Sequence, residues 1–162
     1  MIVEAQLSIN GTKAAVWAAI TDIEGAQKFI AGIEKIEVVE KPESGLRSLR
    51  WRETRMLFGK PATVEKRITE VSENESYETR AESDGFVFIT TARISGRDGN
   101  VILTSRHESQ PQTIATRLMS IPMMFLFNGV LRKAILQDLN DIKSVVEWES
   151  SLAATVRSSS AA

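Results

Sequence analysis

Trp51, Glu53 and Arg55 alternate along a run of strand-forming residues, so in an extended chain all three project from one face. A carboxylate and a guanidinium on one face can pair with each other and orient a polar ligand head, or serve as an acid and an anion clamp. The opposite arrangement turns Arg50, Arg52 and Thr54 inward and leaves Trp51 in solvent. Tryptophan's preference for burial favours the first. His107 is the only histidine, flanked by Arg106 and Glu108. A lone histidine can be a general base, but no serine–histidine–carboxylate spacing accompanies it, and a surface or rim position is expected. Tyr77 alternates with Thr79 and Ala81, and Phe86 with Phe88 and Thr90. The hydroxyl of Tyr77 or Thr90 could reach a ligand, while packing in a core explains the aromatic rings equally well.

Composition narrows the chemistry. A chain of 162 residues, 43% hydrophobic and 25% charged, fits one globular domain. Its 20 basic and 21 acidic residues nearly cancel, giving no long-range attraction to nucleic acid or anionic lipid. With no cysteine, disulfides, thiolate catalysis and cysteine-ligated metals are excluded. One histidine and no clustered carboxylates give no metal site, and no phosphate-binding loop or dinucleotide fingerprint is present. No cofactor is therefore expected. The N-terminus lacks the pattern of a signal peptide, and no stretch approaches a membrane span, so a cytoplasmic location is expected.

The elements that position these residues follow from periodicity and turn signals. Ile2 to Ile9 reads as a strand, Thr12 to Thr21 as a short helix, and Glu24 to Ile30 as a second short helix stopped by Gly32. Six further strands are predicted at Ile33–Glu40, Leu46–Leu57, Ala62–Val71, Tyr77–Ser83, Phe86–Ser95 and Val101–Ser109. The connections are short, which makes neighbouring strands antiparallel. Asp84-Gly85 is a strong hairpin signal. The first strand is free to pair at one edge.

From Pro122 to Trp148, Met124, Phe127, Leu131, Ile135, Leu139, Ile142 and Val146 recur at steps of three and four. That spacing predicts one apolar face on a helix about 40 Å long. Arg132, Lys133, Gln137, Asp138, Asn140, Asp141 and Lys143 fill the other side. The run Ile121 to Phe127 is apolar all round. It is expected to be a movable cavity gate over 123–129, with a dimer contact and a shallow membrane anchor as the alternatives. Ser150 to Ala162 reads as a serine- and alanine-rich tail, leaving one domain over residues 1–149.

Val16-Trp17 followed by Asp22 resembles the start of SRPBCC proteins, the START-like superfamily. The run Leu49 to Arg55, then Phe58-Gly59, Ile68 to Val71, and Gly99 to Thr104 is similar to its polyketide cyclase/dehydrase-type branch, with Asn100 where threonine is usual. This resemblance implies an α+β helix-grip fold: a curved antiparallel sheet of about seven strands around the long C-terminal helix, with an apolar cavity between them. It implies binding of a small hydrophobic ligand such as a lipid, polyketide or quinone. The alternatives are a cyclase or dehydratase using an acid or base in the cavity, and a protein-interaction or chaperone-partner module with a filled core. The expected ligand contacts are Trp51, Glu53, Arg55, Tyr77, Phe88, Thr90, Met124, Phe127, Leu131 and Ile135, in a cavity of roughly 300–1,000 Å³. The expected partner is a small hydrophobic molecule, with no nucleic acid, no stable membrane insertion, and a monomer or weak homodimer.

Overall fold

The computed structural model describes the backbone of residues 1–57 and 59–160, and their side chains except those of residues 57, 114–127 and 157–160. Seven strands form one antiparallel sheet: β1 (Ile2–Ile9), β2 (Ile33–Glu40), β3 (Arg50–Leu57), β4 (Lys60–Ser72), β5 (Ser76–Ser83), β6 (Phe86–Arg97) and β7 (Asn100–Pro111). Their order is β1-β7-β6-β5-β4-β3-β2. The six later strands form a meander, and β1 closes one edge by pairing with β7 from Ile2↔Glu108 to Ile9↔Val101. With the long C-terminal helix against this curved sheet, the architecture is the helix grip.

Turn chemistry explains the strand ends. Asp84 and Gly85 both adopt positive φ, 52° and 75°, the backbone of a hairpin turn whose twist matches its strands. The predicted strand Leu46–Leu57 begins only at Arg50, because Leu49 N–H closes a turn on Leu46 O (3.1 Å) and Ser48 takes φ 74°.

Helix α1 (Lys13–Thr21) starts at Thr12, whose hydroxyl accepts from Ala15 N–H at 3.0 Å. The second short helix expected at Glu24–Ile30 shrinks to one 3-10 turn, Ala26–Lys28. Asp22 caps the turn, its carboxylate taking the Gly25 N–H (3.0 Å) and its carbonyl the Ala26 N–H (3.0 Å), and the i→i−3 bonds Lys28 N–H to Gly25 O (2.8 Å) and Phe29 N–H to Ala26 O (3.2 Å) give it 3-10 geometry.

Helix α2 runs from Ile114 to Ser160, longer at both ends than the sequence suggests. Pro122 lies within it rather than at its start, and the stretch expected as a tail continues it, with residues 151–156 exposed. Ile135, Leu139, Ile142 and Val146 are 8% exposed or less and share a core with Val3, Ala5 and Ile9 of β1, Val16 and Ile20 of α1, and Leu103 of β7. Leu131, expected beside them, is only half-buried. A second apolar cluster joins Ile33, Ile36, Trp51 and Ile68 to Ile23 and Ala26.

Candidate functional site

A cavity of about 130 Å³ opens between the two clusters, lined by residues of both. It is smaller than the 300–1,000 Å³ expected, because charged and aromatic side chains project into the space between sheet and helix. Trp51, Glu53, Arg55, Tyr77, Thr90 and Ile135 line it, as the sequence suggests. Phe88 does not: it is 39% exposed and stacks on Phe86 with ring centroids 6.1 Å apart. Leu131 lies off the cavity wall. The side chains of Met124 and Phe127, and most of the gate expected over 123–129, fall outside the described residues.

One side of the cavity is ionic. Glu53, only 7% exposed, lies at its centre. Its Oε1 accepts from Arg55 Nε (2.5 Å) and Lys66 Nζ (2.9 Å), and its Oε2 from the Trp51 indole N–H (3.4 Å). Arg55 reaches on to α2, where Nη1 meets Asp138 Oδ2 at 2.8 Å. Burial alone would raise the Glu53 pKa, but Lys66 and Arg55 outweigh it and hold the carboxyl down at about 2. Burial would lower the Arg55 pKa, yet Glu53 and Asp138 carry it upward. Asp138 moves upward because burial exceeds the pull of Arg55.

Close approach of the Ile30–Ile33 connection completes this side. A Cβ on Gly32 would stand 2.9 Å from Arg55 Nη1 and 3.2 Å from Asp138 Oδ1, so the absent side chain makes room for the ion pair. The neighbouring Ala31 N–H donates to Asp141 Oδ2 at 2.9 Å, tying the same connection to α2.

The other side is uncharged. His107 faces the cavity, not the rim, because it continues the inward series Val101, Leu103, Ser105 along β7. Its Nδ1 lies 3.2 Å from Thr90 Oγ1 and its Nε2 2.9 Å from Ser105 Oγ. Burial, then the charges of Lys66 and Arg55, lower its pKa to about 4 against a weaker upward pull from Glu53, so the ring is neutral at pH 7. Tyr77 and Thr79 adjoin on β5. The Tyr77 ring meets Trp17 edge to face, centroids 6.3 Å apart. Burial and then Glu53 raise its pKa, which keeps the phenol protonated.

Lys66, Asp138, Thr79, Ser105 and the inward-facing His107 join the cavity beyond the contacts expected from sequence. Signals existed. Val64, Lys66 and Ile68 alternate on β4, and Ile68 is 1% exposed, so Lys66 points inward with it. Asp138 follows Ile135 by three residues and precedes Ile142 by four, a place within the buried stripe.

Residues 1–147 match the family described as polyketide cyclase / dehydrase and lipid transport. The chain belongs to this family. No curated protein sequence matches it significantly. Among solved structures, it is similar to the di-domain aromatase/cyclase StfQ of the steffimycin biosynthetic pathway (TM-score 0.76, 10% identity, 93% of this chain and 51% of that one). It is also similar to a START superfamily protein from Mycobacterium smegmatis (TM-score 0.72, 13% identity, 91% and 97%). A third is the Zhui aromatase/cyclase from a Streptomyces species (TM-score 0.71, 16% identity, 91% and 93%). At these identities the likeness is one of fold. Among the described residues no helix is long and apolar enough to cross a membrane.

Proposed function

We propose that this member of the polyketide cyclase/dehydrase and lipid transport family binds a small hydrophobic ligand beneath α2. Its apolar body would rest on Ile36, Leu103, Ile135, Leu139 and Ile142, with one polar group turned toward the polar residues of the cavity. The observation that carries this reading is the space itself. About 130 Å³ of space is left between sheet and helix, where close-packed cores leave few voids larger than a water molecule. A core selected only for stability, as in the protein-interaction alternative, would gain by closing it.

The engagement of the cavity's acid and base favours binding over acid–base catalysis of the cyclase or dehydratase kind: Glu53 is held by Arg55 and Lys66, and both ring nitrogens of His107 are occupied. An efficient acid or base has a pKa near the working pH. Glu53 at about 2 and His107 at about 4 both lie well below neutrality. Lipids, polyketides and quinones remain the ligand classes in view, and the cavity volume favours a compact part of such a molecule. We expect the protein to work in the cytoplasm as a monomer or weak homodimer, without nucleic acid.

Trp51, 3% exposed and in the cavity wall, supplies the test. Titration with a small apolar compound such as toluene should shift or quench tryptophan fluorescence, and Trp51→Phe should remove most of the response. Native mass spectrometry of freshly purified protein should show a co-purifying mass. No fluorescence change and no added mass would overturn the binding reading.

A further inference from the structure

The cavity's polar groups divide into those already satisfied within the protein and those left open, and the open ones indicate what the ligand presents. Lys66, Arg55, Glu53 and Asp138 bind one another, two cations against two carboxylates. An anionic ligand would have to displace one of the carboxylates or leave a buried charge unbalanced. His107 is also engaged, with Thr90 at one ring nitrogen and Ser105 at the other. A neutral imidazole has one donor and one acceptor, and these contacts use both.

Two hydroxyls remain. Among the described residues neither Tyr77 Oη nor Thr79 Oγ1 has a hydrogen-bond partner. Both residues line the cavity, and Thr79 is only 6% exposed. They stand two apart on β5 and so point to the same face. The edge contact with Trp17 fixes the Tyr77 ring. Neither oxygen is sealed off from the cavity, so each is free to meet a polar group brought into it, and two side by side on one wall make a recognition element for an oxygen. The volume bounds what brings it: an apolar cavity of about 150 Å³ holds one benzene ring, and this one is about 130 Å³.

We infer that Tyr77 and Thr79 form the specificity-determining pair of this cavity, and that its ligand presents there a single aromatic ring bearing an uncharged hydroxyl, a phenol. The inference rests on the binding reading above and adds the ligand's chemistry. The Tyr77 hydroxyl donates to the phenol oxygen, and the phenol hydroxyl donates to Thr79 Oγ1. The ring lies against Ile135 and Leu139 of α2.

The test uses the full chain with phenol, toluene and benzoate as probes, binding being read by tryptophan fluorescence. Phenol should bind several-fold more tightly than toluene, and benzoate most weakly. Tyr77→Phe and Thr79→Val should each shrink the phenol-to-toluene affinity ratio by about three- to tenfold, the worth of one hydrogen bond. Thr79→Ser, which restores the hydroxyl, should recover the ratio. A ratio unchanged in both variants, or equal loss of both ligands, would overturn the assignment. Preference for benzoate would also overturn it and would place an anion site at Arg55 and Lys66. Tight toluene binding without phenol preference defeats this inference alone, whereas failure of all three probes to bind defeats the binding reading with it.

Discussion

The two sides of the cavity handle buried polarity in opposite ways. On β3, β4 and α2, Glu53, Arg55, Lys66 and Asp138 carry full charges, and each is matched by another within the protein. On β5, β6 and β7, Tyr77, Thr79, Thr90, Ser105 and His107 are all uncharged at pH 7. The difference follows from desolvation. An unpaired buried charge costs several kcal/mol, so an ion network must be closed before any ligand arrives. A buried hydroxyl costs less to leave open and can wait for a ligand. The ionic side therefore links sheet to helix, and the proposed selectivity lies with the uncharged side.

Glu53→Ala should break this division most severely. It leaves Lys66 unpaired and removes one of the two partners of Arg55, so chemical denaturation should show a loss of about 3–5 kcal/mol. Replacing Glu53, Lys66, Arg55 and Asp138 together by apolar residues of similar size should recover much of that loss.

The next effect belongs to pH. The folded pKa of His107, about 4, lies below its ordinary 6.5, so as pH falls the unfolded chain takes up the proton first. Its contribution is fully present above pH 6.5 and is lost as pH falls toward 4, up to about 3 kcal/mol in all. Glu53 follows, its stabilisation present above 4.5 and lost as pH falls toward 2. Stability curves of His107→Gln should lack the first of these two losses and keep the second.

Gly32→Ala sharpens the comparison from the backbone. The new Cβ meets Arg55 Nη1 at 2.9 Å, at the end of a flexible side chain, so the expected loss is about 1 kcal/mol, with the Arg55–Asp138 pair loosened. The smallest effect should come from the opposite side: Tyr77→Phe removes a hydroxyl with no partner in the described structure, and unfolding stability should stay within about 0.5 kcal/mol. A loss from Tyr77→Phe as large as that from Glu53→Ala would erase the distinction between the two sides.

Much of the frame was legible in the residues. Alternation along β3 gave the common face of Trp51, Glu53 and Arg55, and steps of three and four gave the buried face of Ile135, Leu139, Ile142 and Val146. These are local periodicities, and local backbone geometry enforces them. The errors have equally specific causes. Leu46 and Leu49 adjoin the strand and read as part of it, but the positive φ of Ser48 makes 46–49 a turn. Phe88 has the right parity for the cavity yet stands beyond it, since parity fixes which face a side chain takes and not how far along the sheet the cavity extends.

Local patterning in the residues carries the order of elements, the antiparallel meander, and which side chains of each strand share a face. Tertiary structure alone decided what those faces meet. Asp138 reads as one more polar residue on a helix until α2 is laid across the sheet and Arg55 lies 2.8 Å away. Residues separated by more than 80 positions in the chain share no periodicity. Their partnership, and the size of the space left between them, is fixed only when packing brings sheet and helix together.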